Sequence, residues 1–140
     1  MRMDLHIHTP ASTDYQQAGV SALDLLRKAE ERGLDIIAFT DHNSVRGYAD
    51  LWREIEDLEL LEYLNRMTPA ESERLVEYRR LLGKILLLPG FEFTATFGFH
   101  ILAIFPETTV LIRRRSPNRL ASAECRYAKP CGNWMPKDWS

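Results

Sequence analysis

Arg2-Met3-Asp4-Leu5-His6-Ile7-His8 alternates at period two, with Met3, Leu5 and Ile7 on one side and Asp4, His6 and His8 on the other. That pattern reads as a half-buried β-strand. Thr9-Pro10-Ala11-Ser12 breaks it. Ser21, with Asp24 three residues on, then opens a helix whose Leu23, Leu26 and Ala29 form an apolar stripe, and Gly33 supplies the stop. Leu34 to Thr40 follows as a buried strand. A strand, a helix and a strand with short connections predict a parallel pair joined by a crossover, and hence an α/β fold.

After Asp41-His42-Asn43 the pattern gives two or three helices. The clearest begins at Thr68-Pro69-Ala70-Glu71, with a capping Thr, Pro at the first helical position and Glu at the third, and it stops at Gly83. A third strand, Ile85 to Phe93, is expected to be interrupted by Pro89-Gly90, and a fourth, Phe99 to Phe105, ends at Pro106. There are no internal repeats.

The 140 residues are one domain's worth of chain. At 45% hydrophobic and 27% charged the composition is that of a globular protein, not of a disordered, collagen-like or membrane-embedded one. The longest apolar runs, 85–88 and 101–105, fall far short of the roughly 20 residues of a spanning helix. No secretory signal is read at the N-terminus, so a cytoplasmic location is expected, with Cys125 and Cys131 as reduced thiols.

Charge divides the chain. Residues 1–107 hold 11 Lys and Arg against 18 Asp and Glu, a charge of −7, whereas residues 108–140 hold 7 against 2, a charge of +5, together the −2 of the whole. The tail, with Arg113-Arg114-Arg115, has neither helical nor strand period. It reads as an atypical, poorly ordered basic appendage, either a frame change or unrelated end-sequence or a basic arm. A nucleic-acid role would need an ordered patch or interleaved aromatics, and nothing in the text supports one.

All four histidines, His6, His8, His42 and His100, fall at strand ends or in adjoining loops. Residues i and i+2 share a strand face, so His6 and His8 project together, and Asp14 follows in the next loop. Thr40-Asp41-His42 closes the second strand and delivers His42 to the same sheet edge, where ligands gather in α/β folds. Asp41 is read equally as a capping or turn residue and as a metal contact; it is also a candidate for fixing a histidine tautomer from behind the ligands. Phe91-Glu92-Phe93 sets a carboxylate between aromatics, where charges are paired or metal-bound. A hairpin centred on Thr96 would place Glu92 directly opposite His100, with Cβ atoms about 5 Å apart. Nitrogen and oxygen donors without thiolate suit Zn, Mn or Fe. Five or more such ligands can hold two ions, the arrangement that suits phosphoester hydrolysis, with Glu92 as the bridging candidate. Ser44 and Arg46 are read as a helix cap and a solvated Arg, or as phosphate contacts.

Asp4-Leu5-His6-Ile7-His8-Thr9 with Asp14, then Thr40-Asp41-His42-Asn43, then Pro89-Gly90-Phe91-Glu92-Phe93 and His100-Ile101-Leu102 resemble the first three motifs of the PHP family, the polymerase and histidinol phosphatase phosphoesterases. The likeness covers about residues 3 to 106. It implies a distorted (β/α)7 TIM-like barrel, here partial and cut after about the fourth strand, with residues 1–107 as the N-terminal part of the domain. It also implies two or three divalent ions held by His6, His8, Asp14, His42, Glu92 and His100, with Glu92 and His42 as the catalytic pair. The implied activity is hydrolysis of a phosphomonoester or a nucleotide-like phosphodiester by metal-activated hydroxide. The family's further His and Asp-x-His have no counterpart after His100. The alternative is therefore a catalytically incomplete metal-binding remnant that acts by pairing with another chain. An open fourth-strand edge, 99–105, invites self-association.

Overall fold

The computed structural model describes residues 1–95 and 98–106. The basic segment 108–140, its boundary at 107, and Cys125 and Cys131 lie outside the described residues. The elements run β1 (Met3–Ile7), α1 (Ala22–Glu31), β2 (Ile36–Phe39), α2 (Arg46–Tyr63), α3 (Pro69–Leu82), β3 (Leu86–Thr94) and β4 (His100–Ile104).

Local chemistry sets the helix ends. The Ser21 hydroxyl accepts from the Asp24 amide while the Asp24 carboxylate accepts from the Ser21 amide, a reciprocal cap that fixes the start of α1. Thr68 and Glu71 repeat the arrangement at α3, with Pro69 in the first turn. Gly33 turns the chain out of α1 at φ 66°, a left-handed conformation that glycine adopts freely. Two helices, not three, separate β2 from β3 among the described residues.

The four strands form one curled sheet in the order β1-β2-β3-β4, a partial barrel. β1, β2 and β3 are parallel, with Met3 beside Ile36 and Ile36 beside Leu86, and β4 returns antiparallel to β3. Alternation gives the sheet two unlike faces. Ile37, Phe39 and Leu87 point into the helices, where they meet Leu26, Tyr78 and Leu81, each fully buried. Burying each such side chain contributes about 1.5–3 kcal/mol. Across the helices, Arg80 pairs with Glu30 and Glu77, and Lys84 reaches Glu30 at 2.7 Å. The opposite face carries His6, Glu92 and His100, with Leu86 and Leu102 exposed alongside.

Two expectations about β3 and β4 are corrected. Pro89-Gly90 does not interrupt β3; it is where the strand changes neighbours. Residues up to Pro89 pair with β2, and those from Gly90 pair with β4. Pro89 has no amide hydrogen to give the ladder, but its carbonyl accepts from Phe105 at 2.8 Å. A Cβ on Gly90 would lie 2.8 Å from the Ala103 carbonyl oxygen and 2.9 Å from the Thr40 methyl, so only glycine lets β2 and β4 close on the strand there.

The hairpin pairs Thr94 with His100 and Glu92 with Leu102, so His100 is not directly opposite Glu92. The loop closes between Ala95 and Phe99, with Gly98 at φ 77° donating its amide to the Ala95 carbonyl, which moves the centre one residue past Thr96. Side-chain period is two, so this shift keeps both residues on one face and makes them diagonal neighbours.

Candidate metal centre

The carboxyl ends of β1, β2 and the upper half of β3 meet at one edge of the sheet, and β4 begins there. That topology brings His6, His8, Asp14, His42, Glu92 and His100 into a single cluster. The imidazole centroids of His8 and His42 are 4.7 Å apart, those of His42 and His100 5.6 Å, and those of His6 and His8 5.1 Å.

Glu92 lies at the centre, 2% exposed. Its Oε2 is 3.0 Å from His6 Nε2, 2.9 Å from His8 Nε2 and 3.6 Å from His42 Nδ1, while its Oε1 contacts His100 Nδ1. The two oxygens thus face different imidazoles. Burial pushes the Glu92 carboxyl up, but the hydrogen bonds of His6, His100 and His8 outweigh it and hold the group down at about 2.

Asp14 forms the second anionic corner. Its Oδ1 is 3.1 Å from His8 Nδ1 and its Oδ2 is 3.2 Å from His42 Nε2. Hydrogen bonds from Ser12 and then His8 hold its carboxyl well below the usual carboxylate range. His8 is pushed down by burial and up, more strongly, by Asp14 and Glu92. Three overlapping trios result: His6 with His8 and Glu92; His8 with Asp14 and His42; and His42 with Glu92 and His100. In each, the donor atoms lie within 4.8 Å of one another.

Asp41 is adjacent to this cluster without entering it. Its carboxylate, 1% exposed, accepts from the Thr9 amide at 2.6 Å, the Thr9 hydroxyl at 2.8 Å and the Gly47 amide at 3.1 Å. The reading of Asp41 as the group that fixes a histidine tautomer is corrected: its side-chain partners are Thr9 and the first turn of α2. The residue at the start of that helix, Val45, offers no side-chain cap, so Asp41 supplies one from the loop before it. Its carbonyl also accepts the Glu92 amide at 3.0 Å, and the Asn43 amide returns to the Glu92 carbonyl at 2.8 Å. Asp41 therefore joins three ligand-bearing segments: the loop after His8, the chain at His42 and the strand at Glu92. Gly47 is required by this packing, since a Cβ there would sit 2.0 Å from the Thr9 hydroxyl oxygen.

Ser44 and Arg46 are engaged locally. The Ser44 hydroxyl accepts from the Arg46 amide at 3.0 Å, and the exposed Arg46 guanidinium pairs with Asp50 at 3.3 Å. Two residues escaped the sequence reading, Thr9 and Ser12, both buried. The available signal was small hydroxyl residues spaced through the loop after His8, where the sequence offered only a strand break.

The donor set fits divalent cations. A buried carboxylate ringed by four imidazoles, with no Lys or Arg among its described contacts, presents the donor arrangement of a metal ligand, and buried charges are paired or coordinate metals. Imidazole and carboxylate donors without thiolate suit Zn, Mn or Fe.

No described helix is long and apolar enough to cross a membrane. Comparison with curated proteins and with solved structures gives no match. The PHP domain family model matches residues 4–112, a stretch that contains every residue of the cluster. That match spans more than half of the chain and agrees with the three overlapping sets of donors, so the chain belongs to the PHP domain family, whose members are metal-using hydrolases of the phosphoesterase kind.

Proposed function

We propose that the chain is a divalent-metal-dependent phosphoesterase acting on a phosphomonoester or a nucleotide-like phosphodiester. The observation that carries this reading is Glu92, buried at the meeting point of four imidazoles with its two oxygens turned to different rings. Residues that would hold the ions are His6, His8, Asp14, His42, Glu92 and His100. When bound, divalent ions supply Lewis acidity toward phosphoryl oxygens and lower the pKa of water.

The chain's own groups do the rest. Glu92, with Oε2 toward His6 and His8 and Oε1 toward His100, would offer a carboxylate oxygen on each side to ions held by those histidines. His42 stands between the two carboxylates, Nδ1 toward Glu92 and Nε2 toward Asp14, and keeps both aligned. Zn, Mn and Fe all suit the donors, and a cytoplasmic setting is consistent with a chain that has only two cysteines.

A second reading, metal binding without turnover, draws on one observation. All four histidines of the chain already belong to the cluster, so no trio has another to recruit.

The purified full chain, loaded with Mn or Zn, tests both readings through metal content and hydrolysis of generic phosphomonoesters and phosphodiesters. The expected result is at least two ions per chain and turnover that falls at least 100-fold in His42→Ala. Bound metal without turnover selects the second reading, and a folded chain that binds no metal overturns both.

A further inference from the structure

Ser12 does more than break the first strand. It is 7% exposed, and its hydroxyl lies 2.5 Å from Asp14 Oδ1, 3.4 Å from the His42 amide and 3.4 Å from His8 Nδ1. An ionised carboxylate only accepts, so the single hydroxyl hydrogen goes to Asp14 and the oxygen receives the His42 amide hydrogen. The residue's backbone is held as well, its amide donating to the Thr9 carbonyl at 2.9 Å and its carbonyl accepting from Tyr15 at 3.3 Å.

Asp14, by contrast, is half exposed and sits on a loop. Left to itself, a short side chain in that position would sample several rotamers. Its two oxygens nevertheless point to two histidines on different segments, His8 and His42.

Resting on the metal-centre reading above, we propose that Ser12 is the positioning residue that aims the Asp14 carboxylate into the gap between His8 and His42. It links the loop to the end of β2 and to the acidic corner at once. The effect is selective: Ser12 touches the trio that contains Asp14 and makes no contact, among the described ones, with Glu92.

The test is Mn2+ binding alone, followed calorimetrically on the full chain, for wild type, Ser12→Ala, Asp14→Ala and the double variant. Groups that orient metal ligands are worth about 10–100-fold in affinity. Ser12→Ala is expected to weaken one ion by that factor and to leave the remaining ions at wild-type affinity. Because Ser12 acts through Asp14, the Ser12→Ala change adds nothing in the Asp14→Ala background. Ser12→Thr, which keeps the hydroxyl, retains wild-type affinity.

Wild-type affinity in Ser12→Ala, an equal loss on top of Asp14→Ala, or a loss in Ser12→Thr as large as in Ser12→Ala overturns the proposal. Those outcomes leave the metal centre standing. A wild-type chain that binds no Mn2+ overturns the metal-centre reading and this inference with it.

Discussion

Along β3, Leu86–Pro89 lies against β2 and sends Leu87, 3% exposed, into the helical core, whereas Gly90–Thr94 lies against β4, buries Glu92 and leaves Phe93 48% exposed. The rule for burial is inverted within one strand. In the lower half, apolar side chains leave water and stability is gained at about 25 cal/mol for each Å² hidden. In the upper half the hidden group is a carboxylate, which is costly to bury without a compensating charge. Chains commonly depart from the stabilising pattern at functional sites and make up the loss elsewhere. The lower half of β3, together with α1 and α3, supplies the stability on which the upper half depends.

Substitution separates the two halves. Leu87→Ala opens a cavity in the core and should cost about 2–5 kcal/mol in urea or thermal unfolding, the largest stability effect expected here. Below its melting temperature that variant should still bind Mn with near wild-type affinity. Comparable loss of stability and affinity would show that the two halves are not separable.

Glu92→Gln keeps the shape of the buried side chain and removes its charge. Metal affinity should fall by at least 100-fold in calorimetry, while stability of the metal-free chain falls by less than in Leu87→Ala. An unchanged affinity would remove Glu92 from the centre of the site.

The smallest effect belongs to the rim of the core. Glu30 is held at about 2 by Arg80 and then Lys84, and Glu77 at about 2 chiefly by Arg80. A carboxyl lowered on folding adds stability above its unfolded value of about 4.5 and loses it as pH falls toward 2. Melting temperatures should therefore drop between pH 4.5 and pH 2, and Arg80→Ala should flatten part of that drop. These groups are only half-buried at the surface, so the change is small and shrinks further with added salt.

Much of the architecture was legible because it is local. Ser21 with Asp24, Thr68 with Glu71, and the alternation of residues 2–8 each lie within a few residues, so β1, α1, β2 and α3 could be read directly. The six clustered residues were also recognisable as motifs. What escaped is what depends on distance or on loop closure. The register of β3 and β4 turns on how the chain closes between Ala95 and Phe99, and a period of two cannot separate Leu102 from His100 as the partner of Glu92. Pro89-Gly90 looked like an interruption because β4, which takes over the pairing there, lies more than ten residues further on. Asp41 offered no sign that its carboxylate would reach back 32 residues to Thr9.

Gly47 closes an avenue that protein engineers routinely take. Replacing a helical glycine with alanine ordinarily strengthens a helix by about 0.5–1 kcal/mol. Here the added methyl would have to occupy space already held by the Thr9 hydroxyl and the Asp41 carboxylate. The first turn of α2 is therefore tuned to its neighbours and not to its own intrinsic preference, and attempts to thermostabilise the chain belong on the outward faces of α1 and α3.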